Sequence, residues 1–223
     1  MAFTLTDLLA PHYCCSCGEL GAILCEYCKY DIVKDPFSIC VQCRVPVLGD
    51  NHLCSSCSTP YTRAWCIGER DDALKKLIDS YKFERAQSAQ RTLIELLDHS
   101  IPQLPENLLV VPIPTVTPHV RVRGYGHVEL VASGFAKKRG LAYFPALKRR
   151  TMSVQRGANK AQRIAQAKAA YRADSVDGQV CLLIDDVYTT GATLEYASRE
   201  LLAAGASEVW IAVLSRQPLE KNE

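Results

Sequence analysis

The segment Leu182–Leu194, LLIDDVYTTGATL, constrains the fold more than any other stretch of the chain. The apolar run QVCLLID over 179–185 is short enough for a fully buried strand, and it leads directly into Asp185 and Asp186. A helical pattern, TLEYASRELLAAGA, follows over 193–206 with Gly205 past its end, and EVWIAVLSR over 208–216 reads as a further strand. Strand, helix and strand in that order imply a right-handed parallel crossover. A strand over 180–184 would then end in the two carboxylates at the C-terminal edge of the sheet, where open α/β folds bind ligands. Thr189, Thr190, Gly191, Ala192 and Thr193 set hydroxyls and free backbone N–H groups beside them. Gly191 lets the backbone turn and approach a ligand closely. Such a loop at a helix N-terminus suits a phosphate. Adjacent acids can accept hydrogen bonds from vicinal sugar hydroxyls or help hold a divalent ion. The expected ligand is therefore a sugar phosphate. A plain strand–turn–helix with capping acids would explain a lone DD or TTG, but not the whole string in register with a buried strand.

The same alternation extends upstream to Pro60 and Tyr61, where we place a boundary between residues 1–60 and 61–223. RAWCIGE (63–69) reads as a short strand. DDALKKLIDSYKF (71–83) has apolar residues at helical spacing, with Asp71 or Asp72 as N-cap or first-turn acid, and AQRTLIELLDHSI (89–101) is a second helix. LLVVPIP (108–114) is a buried strand closed by prolines, and ELVASGFAKKRG (129–140) is a helix stopped by Gly140. Residues 149–163 are highly charged and weakly periodic, the pattern of a mobile loop. The expected class is α/β, a parallel sheet flanked by helices.

Residues 1–60 follow a different rule. Eight of the 11 cysteines stand there as four C-x-x-C pairs: Cys14 and Cys17, Cys25 and Cys28, Cys40 and Cys43, Cys54 and Cys57. Thiolates suit tetrahedral zinc, and one turn of C-x-x-C supplies two of them, so four pairs make two structural sites. Joining consecutive pairs closes the shorter loops; a cross-braced arrangement, a single zinc with spare cysteines, or an iron–sulfur cluster are the alternatives. Every ligand position is filled by protein, which points to stabilisation and docking rather than metal catalysis. Cys15 is a bystander or a substitute ligand, Cys66 and Cys181 are buried strand residues, and His52 is expected at the surface.

With 48% hydrophobic and 22% charged residues the composition is that of an ordinary globular chain. No apolar run approaches the roughly 18–20 residues of a membrane span. The N-terminus lacks the basic and apolar regions of a signal peptide, so the cytoplasm is the expected location. The formal net charge of +2 conceals an asymmetry: His119–Arg172 holds 13 of the 26 Lys and Arg and a single acid, Glu129. Either this is a solvated face or it is built to meet anions, and holding half of all basic residues favours the second. Tyr125, Tyr143, Phe144 and Tyr171 are interleaved with those charges and could stack nucleic-acid bases, although Tyr143 and Phe144 also fit a core.

The segment Leu182–Thr193 resembles the phosphoribosyl-diphosphate (PRPP) loop of type I phosphoribosyltransferases: four apolar residues, two acids, then T-T-G-x-T. That resemblance implies that Asp185 and Asp186 hold the ribose hydroxyls, also the catalytic positions, that Thr189–Thr193 hold the 5-phosphate, and that Mg²⁺ accompanies PRPP. It further implies that Pro112, Ile113, Pro114 and Thr115 form the pyrophosphate loop, with 149–163 as the flexible catalytic loop. Together with the cysteine module, the whole chain is similar to the ComF family of competence proteins. Tyr81-Lys82-Phe83 looks like that family's lysine segment, and Arg123-Gly124-Tyr125 like its R-G-aromatic stretch, departing at Gly126 and His127 where Asn and Gln are usual. Residues 149–172 resemble its basic loop, with Gln155 and Arg163 in the expected places. The resemblance implies cytoplasmic handling of incoming single-stranded DNA in natural transformation, alongside a helicase-like partner. Lys82, Arg121, Arg123, Arg149, Arg150 and Arg163 are the candidate contacts to nucleic acid or pyrophosphate. An active transferase moving phosphoribosyl to a base is the alternative. An amidotransferase of the same fold would need a processed N-terminal cysteine, whereas Met1-Ala2 leads here.

Overall fold

The apolar runs assemble into one parallel sheet, because each is apolar on both faces and can bury both only between two layers. The computed structural model describes residues 12–34, 38–83, 87–115, 126–149 and 171–218. The elements in chain order are α1 (Glu26–Lys34), β1 (Arg63–Cys66), α2 (Asp72–Phe83), α3 (Gln87–Ser100), β2 (Leu109–Pro112), α4 (His127–Arg139), β3 (Ala142–Tyr143), β4 (Leu147–Arg149), β5 (Tyr171–Ala173), β6 (Val180–Tyr188), α5 (Ala192–Ala203) and β7 (Glu208–Arg216). Five strands form a sheet of order β1-β7-β6-β2-β3, and every neighbouring pair is parallel. β4 and β5 form a separate antiparallel pair. No helix among the described residues is long and apolar enough to cross a membrane.

Strand alternation sorts the core into two layers. Leu182, Ile184, Trp210, Ala212, Leu214, Trp65 and Val110 face one layer with residues of α2, α3 and α4. Cys181, Leu183, Ile211, Val213, Cys66 and Val111 face the other, with Leu194, Ala197 and Leu201 of α5 and with Leu147 and Tyr171 of the β4–β5 pair. The cysteine-rich segment contributes to both: Cys14, Ile23, Leu24 and Cys28 to the first, Val41 to the second.

Several sequence expectations shift here. The strand expected over 180–184 runs on to Tyr188, because β7 continues to pair with it through Tyr188↔Arg216. The two aspartates therefore lie within the strand rather than beyond it. Arg149 closes strand β4 instead of opening a loop, paired with Tyr171. Helix α1, between and beyond Cys25 and Cys28, has no strong apolar period and was not expected. Gly140 stops α4 as expected, in the left-handed region at φ 67°. Residues 150–163 of the expected loop lie outside the described residues.

If the two layers carry the stability, buried and rim leucines should behave differently. Leu97→Ala, fully buried in the layer over α3, should cost about 3 kcal/mol, whereas Leu202→Ala, 37% exposed on α5, should cost under about 1 kcal/mol. Urea unfolding of the two variants checks this, and equal costs would contradict the layering.

Candidate functional site

β6 and β2 are neighbours, yet their chain continuations diverge: β6 leads through α5 to β7 on one side, β2 through α4 to β3 on the other. Such a divergence opens a crevice beyond the C-terminal ends of the two strands, the usual ligand position in open α/β sheets. A cleft of about 410 Å³ occupies that place, lined by Ile113, Pro114 and Thr115 after β2, by Asp185, Asp186 and Val187 of β6, and by Thr189 and Thr193 of the following turn. Arg70, Lys82, His127, Val128, Arg149, Tyr171 and Gln217 complete the lining.

Alternation along β6 gives the adjacent acids different surroundings. Asp186 points to the helical layer, where Lys82 at the end of α2 and His127 at the start of α4 meet it. Lys82 Nζ forms an ion pair with Asp186 Oδ2, and His127 Nε2 lies 2.7 Å from the same oxygen. Burial opposes ionisation of Asp186, but the His127 hydrogen bond and the Lys82 charge outweigh it and hold its carboxyl below the usual range. Asp185 is 8% exposed, and its Oδ1 accepts the Asp186 backbone N–H at 2.8 Å. Burial, together with the charge of Asp186, pushes its carboxyl well up.

The phosphate-loop candidates divide in two. Thr189 and Thr193 line the cleft, while Thr190, exposed, accepts the Ala192 N–H at its own Oγ1 at 3.5 Å. Gly191 caps α5 at φ 79°, with no side-chain cap on the helix. A Cβ there would lie 2.2 Å from the Tyr188 hydroxyl, so this glycine is required by space as well as by conformation. On the β2 side, Pro112 lies within the strand, and Ile113, Pro114 and Thr115 reach the cleft. The Thr115 N–H and hydroxyl both donate to Glu129, at 3.0 and 2.9 Å. Among the candidate cations, Lys82 and Arg149 line the cleft; Arg121, Arg123, Arg150 and Arg163 lie outside the described residues, as do Tyr125 and Gln155.

Sequence reasoning missed Arg70 and misjudged three residues. Arg70 reaches the cleft from the β1–α2 turn while donating to Asp79 at 2.7 Å; nothing in its local sequence marks it. His127 stands where the resembled family usually has Gln, a departure that put a polar contact from this position in doubt, yet its ring reaches Asp186. Tyr171, a candidate stacking platform, is a buried core residue at 5% exposure, with the Arg149 guanidinium 5.8 Å from its ring centre. His52, expected at the surface, is buried; its Nδ1 accepts the Cys66 N–H at 3.0 Å, and burial pushes its pKa down to about 4.

The cysteines form two clusters of consecutive pairs: Cys14, Cys17, Cys25 and Cys28, then Cys40, Cys43, Cys54 and Cys57, the sulfurs in each lying within 4.8 Å of one another. Sulfur separations of 3.7 Å (Cys17–Cys25), 3.8 Å (Cys40–Cys57) and 3.5 Å (Cys43–Cys54) approach the roughly 3.8 Å edge of a tetrahedron with Zn–S bonds of about 2.3 Å. Burial opposes ionisation of Cys14 and Cys40, but backbone N–H groups aimed at their sulfurs outweigh it and hold each down to about 6. Both clusters could therefore hold zinc. Cys15 stands outside them, its thiol 3.9 Å from the Ala73 carbonyl.

Residues 120–223 match the phosphoribosyl transferase domain. Over nearly its full length the chain is homologous to the DNA utilization protein YhgH of Salmonella typhimurium, 26% identical over 94% of this chain and 99% of that one. It is likewise homologous to the competence protein ComFC of Streptococcus pneumoniae, 25% identical over 83% of this chain and 84% of the relative, and to ComFC of Bacillus subtilis, 22% identical over 78% and 82%. Among solved structures, an allosteric regulatory enzyme of purine biosynthesis is similar at 20% identity with a TM-score of 0.45, over 61% of this chain and 30% of that one. The residues that match the phosphoribosyl transferase domain include β6, with its two acids, and the turn that follows it at the cleft.

The raised Asp185 carboxyl has a pH signature. Its folded pKa lies above the unfolded value of roughly 3.9, so its share of stability is intact below that pH and is lost as pH rises toward the folded value. Asp185→Asn escapes this loss while Asn Oδ1 can still accept the Asp186 N–H. Its melting temperature relative to the parent should start near parity at about pH 4 and widen in its favour toward neutrality, by about 2–4 °C for about 1 kcal/mol. Calorimetry across that range checks it; a gap independent of pH would contradict the burial argument.

Proposed function

We propose that this chain is a ComF-type competence protein whose phosphoribosyl transferase domain binds PRPP, or a related phosphoribosyl ligand, with Mg²⁺ in the cleft between β2 and β6. The observation that carries this reading is the convergence of Asp185 and Asp186 with the start of α5, which has no side-chain cap. Apart from the Ala192 N–H, which Thr190 Oγ1 accepts at 3.5 Å, the first-turn N–H groups of α5 favour a phosphate. The carboxylates accept from ribose hydroxyls or help hold the metal ion. Lys82, Arg70 and Arg149 supply positive charge on the walls, where a diphosphate would lie. In the same reading both cysteine clusters hold structural zinc, which fixes their turns and takes no part in chemistry.

The second part of the proposal is handling of single-stranded DNA in the cytoplasm during natural transformation, beside a helicase-like partner. It is supported by the basic stretch of the sequence and by the competence and DNA-utilization names of the relatives. Phosphate contacts from Lys and Arg bind nucleic acid without reading sequence.

A transferase reading is favoured by one specific feature, the pinning of Asp186 by Lys82 and His127. An ionised carboxylate held in place costs no reorganisation as positive charge develops at the anomeric carbon. In that reaction the bond from the carbon to the pyrophosphate oxygen breaks, an acceptor nitrogen bonds to the carbon, and pyrophosphate leaves toward Arg70 and Arg149.

Titration calorimetry with PRPP and Mg²⁺ tests binding. Asp185→Asn combined with Asp186→Asn should weaken it by at least about 100-fold, as expected when charge-assisted hydrogen bonds are lost, with two zinc ions per chain retained. Unchanged affinity would remove the cleft from the reading. Pyrophosphate release with a pool of nucleobases, above the double-variant blank, separates transferase from binding protein.

The DNA interaction is tested by salt dependence. Arg149→Ala with Arg150→Ala should flatten the slope of log affinity against log salt by about 1.4, roughly 0.7 for each phosphate of a single strand that is no longer neutralised. An unchanged slope would take these two arginines out of the DNA interface.

A further inference from the structure

The second cysteine cluster sits under the phosphate-loop turn. Its first knuckle, Cys40–Cys43, carries Val41 into the core layer beneath α5 and turns Gln42 toward β6. Gln42 is exposed overall, but its Oε1 points inward and accepts a hydrogen bond from the Tyr188 hydroxyl. The Tyr61 hydroxyl lies 3.4 Å from the same oxygen and 3.1 Å from the Tyr188 hydroxyl. These groups occupy the space that a side chain at residue 191 would need: a Cβ there would lie 2.2 Å from the Tyr188 hydroxyl and 3.2 Å from Gln42 Oε1. Gln42 and Tyr188 are thus the floor on which the turn at Gly191 rests.

The knuckle itself is fastened to the end of β7. Arg216, 4% exposed, donates from Nη1 to the Cys40 carbonyl at 2.9 Å and from Nη2 to the Gln42 carbonyl at 3.2 Å, with its guanidinium 5.8 Å from the Tyr188 ring centre. Arg44, one residue past the knuckle, pairs with Glu69 at 2.7 Å and donates to the Gln217 carbonyl, while Gln217 N–H donates to the Tyr188 carbonyl at 2.9 Å. The first cluster is placed otherwise. It packs on α2 and α3, through Cys15 against the Ala73 carbonyl and Lys29 against Glu95.

We propose that Gln42 is a positioning residue for the phosphate-loop turn, so that the Cys40–Cys57 cluster sets ligand affinity at a cleft it does not line. Two similar cysteine clusters then have different duties: the first braces helices, the second shapes the binding loop. Zinc in the second cluster would fix the carbonyls that Arg216 grips and, through Gln42, the turn that Tyr188 carries. The ligand in this inference is the phosphoribosyl ligand of the reading above; the ordering of the turn does not depend on that reading.

The test uses the full chain with Gln42→Leu, which removes the acceptor, Gln42→Glu, which keeps one, and Ser16→Ala, the corresponding knuckle position of the first cluster. Amide exchange over residues 189–193 is measured without ligand, then affinity for PRPP with Mg²⁺, with zinc content as the integrity check. Gln42→Leu should speed exchange across the turn and weaken PRPP about tenfold at unchanged zinc content, the effect of removing one hydrogen bond. Gln42→Glu should retain both properties, as should Ser16→Ala. Tyr188→Phe should reproduce Gln42→Leu, and the double variant should be no worse than either. Unchanged exchange in Gln42→Leu overturns the proposal, as does faster exchange with unaltered PRPP affinity. If the parent chain fails to bind PRPP, the function proposed above fails, while exchange alone still decides whether Gln42 orders the turn.

Discussion

The ion pair between Lys82 and Asp186 is the interaction on which the rest of the site depends. Two acids in succession on a buried strand would repel each other in a medium that screens poorly. Alternation separates their side chains onto opposite faces, and α2 and α4 bring a lysine and a histidine to one of them. With Asp186 compensated, Asp185 is left bearing the cost of burial beside a fixed negative charge. Helices α2 and α4 pack with α3 in a single layer, so placing Lys82 and His127 is a task shared by much of the core.

The cysteine-rich segment solves a second problem, the open edge of the sheet. β1 is an edge strand, and its outward N–H groups would otherwise be free to pair with another chain. Ala64 N–H instead donates to Asn51 Oδ1 at 3.0 Å and Cys66 N–H to His52 Nδ1 at 3.0 Å, while His52 N–H donates to the Ala64 carbonyl at 2.8 Å. The loop inside the second cluster therefore substitutes for a neighbouring strand. That explains why His52 is buried and why its imidazole is kept neutral: its ring nitrogen is an acceptor for the backbone.

Much of this was legible in the chain itself. The apolar runs of β1, β2, β6 and β7 and the helical periods of α2, α3 and α5 are local signals, and so is the grouping of the cysteines into pairs. What could not be read locally was everything set by long-range interaction. β6 looked finished at the first acid because a carboxylate is a poor strand residue; pairing with β7 overrides that preference through Tyr188. His127 departs from the residue usual at its position and Arg70 carries no motif, and their relevance arises only when α4 and the β1–α2 turn converge on one cleft. Gln42 lies 146 residues from Tyr188, and nothing at either position announces the other.

The distribution of buried polar groups shows where the fold accepts instability. Of the seven buried polar or charged side chains among the described residues, His127, Asp185, Ser215 and Arg216 gather around the C-terminal ends of β6 and β7. Arg216 Nε has no partner there among the described residues, even though both of its terminal nitrogens are engaged. Buried groups satisfied only in part are expensive, and apolar residues would pack the same space at lower cost. Toward the opposite end of β7 Trp210 Nε1 is also buried without a partner among the described residues, but the buried charged side chains Asp185 and Arg216 lie at the C-terminal edge. An arrangement that costs stability at one edge of the sheet, beside a turn whose glycine cannot be replaced without a clash, fits a surface organised around a ligand better than one organised around the core. The buried arginine that grips the second cysteine cluster belongs to that same edge, so cluster and cleft share one polar network.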